Sequence, residues 1–406
     1  MPTPIRHIVI IFQENRTPDD LFQGVPGADI AKTAMDSYGD IVPLKPISLA
    51  APYDLAHGHT AFLSDYDGGK MDGFDKGLPS QDRLRPYGYA PRSEVQPYYD
   101  MATQYVLADR MFQSNQAGSF PAHQYIVSGT TSALPVSPFN VSNDPYNSKT
   151  GAKEPAGCDA PALTVVNTID PQDGSPGPTA FPCFDRPVLS DFLDPRGVTW
   201  RYYQNGLGAG LWHTLDAVRH VRYGPDYARV ITPPQTILTD ISGGRLAGVS
   251  WVNPSDGKHS DHSGKKSKTG PSWVAAVVNA VGESPYWNTT AIFITWDDWG
   301  GWYDHVLPPQ MNNYYELGFR VPLVIVSPYA KQGYVSHVQH EFGSILAFSE
   351  EAFGIPKGAL NATDVRADDL MDCFDFTQAP RAFVPIQAPP FVPSLGSPAE
   401  LGAEDP

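Results

Sequence analysis

Only three cysteines occur in 406 residues. That excludes a disulfide-dense scaffold and leaves an apolar core to hold the fold. No apolar run approaches the roughly 20 residues that a membrane-spanning helix needs. Basic residues are scarce: Lys plus Arg total 28 against 44 Asp plus Glu, a formal net charge of -16. Such a chain repels nucleic-acid phosphates and anionic lipid surfaces unless it carries a local basic patch. Lys265, Lys266 and Lys268 form only a small cluster. The expectation is therefore no nucleic-acid partner and no integral membrane segment. Familiar catalytic signatures are missing too. There is no Gly-x-Ser-x-Gly elbow, no phosphate-binding loop ending in Gly-Lys-Ser/Thr, and no Gly-x-Gly-x-x-Gly fingerprint. The residues after Cys158 and Cys183 do not fit a Cys-x-Pro-x-Arg pattern.

Aromatic residues, by contrast, make up 12% of the chain, and there are 41 prolines. Disordered chains are poor in aromatics, so this composition predicts a folded, loop-rich enzyme. Short apolar, β-branched runs read as buried strands: Ile5–Phe12, Tyr105–Leu107, Val198–Tyr203, Gly248–Asn253, Ala291–Trp296 and Val321–Ser327. Helical stretches fall between them, including Pro121–Ser128, Ser272–Val281 and Glu341–Phe353. The pattern predicts an α/β fold with a mainly parallel central sheet sandwiched by helices. One α/β domain is expected over 1–376, interrupted at about 135–187 by a loop-rich excursion crowded with Pro, Gly, Asn and Asp. A Pro-rich tail without helical or strand period follows at 377–406.

Within that excursion, Cys158 and Cys183 flank a loop rich in Pro, Gly and Asp, which a staple would hold together. A bond between them implies an oxidising compartment, so the protein is expected to be secreted or periplasmic, with the cytoplasm as the alternative. No secretory leader is read in this chain, because the first strand starts almost at once. Cys373 lies in a segment expected to be buried and free.

Two strands end alike. Ile8–Phe12 runs into Gln13, Glu14 and Asn15, and Ile292–Trp296 runs into Asp297 and Asp298. In parallel sheets, ligands bind beyond the carboxyl ends of the strands. Adjacent carboxylates repel unless a cation or proton lies between them, and oxygen donors suit a hard divalent ion. The plainer alternative is solvated turn residues or helix caps. Ser119 is expected just before a helix with proline in its first turn. It is then either an ordinary N-cap or a nucleophile, with free N–H groups and the helix dipole to hold a phosphate. His57 follows Asp54, while His259, Asp261 and His262 form a cluster after the fourth strand that could equally bind zinc.

These pieces together resemble the bacterial and fungal phosphoesterase family of phospholipase C enzymes and an acid phosphatase, within the alkaline phosphatase superfamily. The matching stretches run in order through most of the chain. They include His7-Ile-Val-Ile-Ile-Phe-Gln-Glu-Asn15, Gly68-Gly-Lys-Met-Asp-Gly-Phe74, Ser119-Phe-Pro121 and Ser260-Asp-His262. Asp297-Asp-Trp-Gly-Gly-Trp-Tyr-Asp-His305, Arg320-Val-Pro322 and Ser327-Pro-Tyr-Ala-Lys331 continue the series, which ends at Phe374-Asp-Phe376.

The resemblance implies hydrolysis of phosphoric esters through a phosphoserine intermediate on Ser119. It implies one divalent cation held by Glu14, Asn15, Asp297, Asp298 and the Ser119 hydroxyl. Oxygen ligands favour Ca2+, with Zn2+ or Mg2+ as alternatives. Asn15, His57 and His262 would hold the phosphoryl oxygens. Choosing His57 over His59 rests on the Asp54-x-x-His57 spacing. The family often has Asp-Glu where this chain has Asp297-Asp298, which leaves the ion's position open. The expected partner is a small phosphate ester or a phospholipid head group. A sulfatase-like hydrolase and a non-catalytic binding protein are the alternatives.

Overall fold

A computed structural model describes residues 3–133, 138–311 and 313–393. Pro135, where the excursion was expected to begin, and the tail beyond Pro393 lie outside the described residues.

Eight strands form the main sheet: β1 His7–Gln13, β2 Val106–Ala108, β3 Trp200–Tyr203, β4 Val230–Ile231, β5 Val249–Val252, β6 Thr290–Trp296, β7 Leu323–Val326 and β8 Tyr334–Ser336. Their order is β4-β3-β5-β1-β6-β7-β2-β8. All run in one direction except β7, which lies antiparallel between β6 and β2. The central strand β1 is apolar from Ile8 to Phe12 without alternation, as a strand covered on both faces requires.

Five longer helices matter here: α1 His59–Tyr66, α2 Arg92–Gln104, α3 Ser119–Ser128, α4 Gly270–Gly282 and α5 Phe342–Phe353. The strand period of two sorts them to two faces. Phe12 and Phe293 point one way, onto His123 of α3 and Phe348 of α5. Trp296, three residues after Phe293, points the other way onto Tyr98 of α2. The helices thus form outer layers around a sheet whose central strands are buried, and the predicted α/β sandwich is the observed fold.

All six predicted strands are present, their ends displaced by one or two residues. The edge strands β4 and β8 escape the hydrophobic pattern because they are short and half-solvated. Helix α2 escapes it because Pro97 lies inside it. The described part of the excursion is held by two short antiparallel pairs, Asn140–Val141 with Thr168–Ile169 and Tyr146–Asn147 with Thr164–Val165. Cys158 and Cys183 are bonded, with Cα atoms 4.5 Å apart. Cys373 is free and buried. The described tail forms no helix or strand, yet it packs. Phe383 lies on Trp287, and Phe391 lies on Trp273 and His259. No described helix is long and apolar enough to cross a membrane.

Candidate active site

Register brings the two acidic strand ends together. Gln13 of β1 pairs with Trp296 of β6, so Glu14 and Asp297 leave the sheet at the same level. The Asn15 amide then donates to Asp297 Oδ1 at 3.0 Å. Asn15 adopts a left-handed conformation (φ 63°), which asparagine tolerates better than most residues. Gly300 packs against this bend, and a Cβ there would lie 2.4 Å from the Asn15 carbonyl oxygen. The double glycine after Asp298 is thus required by close approach of backbones.

Helix α3 delivers Ser119 to the same place. Its hydroxyl lies 3.2 Å from Glu14 Oε2 and 3.3 Å from Asp298 Oδ2. The sequence reading needs correction here. Gly118 is the N-cap and Ser119 the first helical residue, and its side chain caps nothing. Fewer helix N–H groups are available for a phosphate than expected. Phe120 N–H donates to Asp144 Oδ1 at 2.9 Å, and Pro121 has none.

Glu14, Asn15, Ser119, Asp297 and Asp298 are all fully buried. His57 and His262 approach from the side of Asn15, their rings 5.8 Å apart. Nδ1 of His57 faces Leu55 O, and Nδ1 of His262 faces Ser263 O, each at 2.6 Å. A carbonyl only accepts, so Nδ1 carries the hydrogen and a neutral ring presents Nε2 as an acceptor.

This decides how Asn15 turns. With its nitrogen toward His57 Nε2 (3.1 Å), its oxygen lies against Glu14 Oε2 and Asp297 Oδ1. Three oxygens then converge, which only a cation among them makes favourable. Turned over, the nitrogen donates to both carboxylates, but the oxygen must accept from His57 and His262 together, at 3.1 and 3.2 Å. That needs both imidazoles charged. Neutral histidines therefore go with a cation. Asp297 Oδ2 is buried and finds no hydrogen-bond donor among the described residues. The donor set fits a divalent ion on both grounds.

His123 was missed in the sequence, though it stands four residues after Ser119 and so on the same helix face. Its Nε2 lies 2.9 Å from Glu14 Oε1 and 3.7 Å from Asp297 Oδ2, and its ring stacks on Trp212. Asp144 was missed as well; it lies in the irregular excursion, where no pattern marks it.

Other candidates stay outside. His59 donates toward Gln116 O and stacks on Phe62, so His57 is the histidine at the site. The His259–His262 cluster splits up. His259 pairs with Asp256. Asp261 accepts from Tyr98 and Trp296 beneath the site. Burial pushes the Asp261 carboxyl up to about 6. Only His262 reaches Asn15. Further along the motif, Arg320 binds Asp304, and His305 binds Asp19, pinning the loop that follows Asp298.

Buried oxygen donors, a serine hydroxyl and paired imidazoles beyond the carboxyl ends of β1 and β6 are the equipment of a phosphoric-ester hydrolase. Comparison with known proteins agrees. The model of the Phosphoesterase family matches residues 5–356, and the chain belongs to that family. It is 25% identical to phospholipase C A of Mycobacterium tuberculosis, over 97% of this chain and 81% of the relative. It is 24% identical to a non-hemolytic phospholipase C of Pseudomonas aeruginosa, over 92% of this chain and 57% of the relative. Non-specific phospholipase C1 of Arabidopsis thaliana is also 24% identical, over 95% and 74% respectively. Among solved structures, a protein of the alkaline phosphatase superfamily from Vibrio parahaemolyticus is similar, with TM-score 0.39 and 11% identity over 91% of this chain and 71% of that one.

Proposed function

We propose that this phosphoesterase works by covalent catalysis on Ser119 with one divalent cation. The observation that carries the reading is the Ser119 hydroxyl, buried between Glu14 Oε2 and Asp298 Oδ2 at 3.2 and 3.3 Å. Glu14, Asn15, Asp297 and Asp298 would hold the ion, and His123 stands ready beside them. The bound ion would lower the serine's pKa and offset charge on the phosphoryl oxygens. His123 adds a nitrogen to a donor set that the sequence presented as all oxygen, which weakens the preference for Ca2+ and strengthens Zn2+.

Ser119 Oγ attacks phosphorus in line, and its proton passes to a neighbouring carboxylate. Binding of the anionic ester draws a proton onto Nε2 of His57 and of His262, and these N–H groups, with Asn15, donate to and orient the phosphoryl oxygens. His262 gives its proton to the departing alkoxide, and the ester bond breaks. Water, giving a proton to His262, then attacks phosphorus; the bond to Ser119 Oγ breaks, the serine takes its proton back from the carboxylate, and the phosphate product leaves. The substrate is a small phosphate ester or a phospholipid head group. The Cys158–Cys183 bond suits a secreted or periplasmic enzyme. The test is a hydrolysis screen of chromogenic phosphate monoesters against phosphocholine diesters, with and without chelator. Turnover that chelator stops and added cation restores supports the reading; chelator-resistant turnover overturns the metal requirement.

A further inference from the structure

A cavity of about 820 Å3 is lined in part by Leu55, Ala56, Gly58 and Gly301, so the chain neighbours of His57 on both sides border it. That volume lies in the range of small-molecule sites. One wall is helix α1, which presents Thr60 and Ser64 one turn apart. The facing wall is the excursion, which presents Ser142, Asn143, Asn167 and Thr168.

Internal hydrogen bonds set this second wall. The Asn167 amide donates to Asn143 Oδ1 at 2.6 Å, and Tyr146 OH donates to Asn167 Oδ1 at 2.7 Å. Asp144 ties the same loop to the Phe120 amide, beside Ser119. The wall and the serine therefore share one support.

The lining speaks to the ligand's chemistry. Thr60 and Ser64 put hydroxyls on one wall, and Asn143 and Asn167 put carboxamides on the other; covering them with acyl chains would take polar groups from water with nothing in return. Charged groups at the cavity are already engaged. Lys76 pairs with Asp67 at 2.7 Å, and Asp65 accepts from Trp299 at 3.1 Å. Phe74, Ile169 and Tyr314 add apolar surface for a carbon ring or chain bearing hydroxyls.

Resting on the ester-hydrolase reading of this site, we propose that the cavity holds the organic group of the ester and selects an uncharged, hydroxyl-rich one. A polyol or sugar phosphate fits it; diacylglycerol or a quaternary ammonium does not.

The test uses Thr60→Ala with Ser64→Ala, which removes two hydroxyls and keeps helix propensity. Two substrates, glucose 1-phosphate and p-nitrophenyl phosphate, give a ratio of kcat/KM values. That ratio is expected to fall about tenfold in the double variant, and wild type is expected to prefer glucose 1-phosphate to micellar phosphatidylcholine. An unchanged ratio, or a preference for phosphatidylcholine, overturns the proposal. Calorimetric binding of glucose 1-phosphate to Ser119→Ala, with and without the two hydroxyls, separates this from the mechanism. Affinity weakened about tenfold supports the cavity even if Ser119 proves dispensable for turnover. Equal affinity overturns the cavity whatever Ser119 does.

Discussion

A divalent cation bound at the proposed site should stabilise the fold measurably, and Asp297→Asn should abolish that response. Ligand atoms of Glu14, His123 and Asp297 lie within 4.8 Å of one another. At an effective dielectric of about 20, two carboxylates at that distance repel by about 3.5 kcal/mol, which a bound ion relieves. Binding at a free-ion concentration about a hundred times the dissociation constant stabilises by about 2.7 kcal/mol. With about 2.1 cal/mol/K per residue, a chain of 406 residues has an unfolding entropy of about 0.85 kcal/mol/K. The two figures together give a Tm shift of about 3 °C. Differential scanning calorimetry, with chelator and then with excess Ca2+, Mg2+ or Zn2+, reads it. Asp297→Asn removes the carboxylate whose Oδ2 lacks a donor, so its Tm should be insensitive to chelator. A wild-type Tm unmoved by chelator and by all three ions would refute the cation site. So would an equal shift in Asp297→Asn.

Opening the Cys158–Cys183 bond frees a loop with a sequence separation of 25, which corresponds to about 3.5 kcal/mol of chain entropy. Cys158→Ser with Cys183→Ser should lower Tm by a few degrees, and an unchanged Tm would show that the hairpin pairs suffice. His262→Ala should slow esters of poor leaving groups far more than p-nitrophenyl esters, by about a hundredfold against less than tenfold. Equal losses would remove its role as the acid. Burial, aided by the Asp364 carboxyl, pushes the Glu350 carboxyl up from 4.5 to about 7. The folded state therefore keeps a proton that the unfolded chain releases, and this contribution is present below pH 4.5 and lost as pH rises through about 7. Glu350→Gln should flatten the Tm profile between pH 4.5 and 8, and a profile as steep as wild type would contradict this.

The central strands were legible because β1 and β6 are apolar without alternation, a pattern that only double-sided burial produces. Glu14, Asn15, Asp297 and Asp298 were legible because polar residues break those runs abruptly at equivalent points. Ser119 was legible as a helix start, but its place one residue inside the helix was not, since boundary positions depend on how Gly118 bends. His123 lay hidden inside an apolar helix, where a lone histidine reads as core. Asp144 acts through a loop whose course is set by its own hydrogen bonds and by a disulfide between cysteines 25 residues apart, neither of which has a periodic signature.

The phosphoserine itself offers the most direct test of the central claim. Wild-type protein mixed with p-nitrophenyl phosphate and quenched in acid within milliseconds should carry one phosphoryl group, about 80 Da, on the peptide containing Ser119. Excess phosphate at low pH should raise the labelled fraction, and Ser119→Ala should carry none while losing at least about a thousandfold in turnover. An unlabelled Ser119 peptide from an enzyme in rapid turnover, with Ser119→Ala still active, would contradict the account and assign the attack to water.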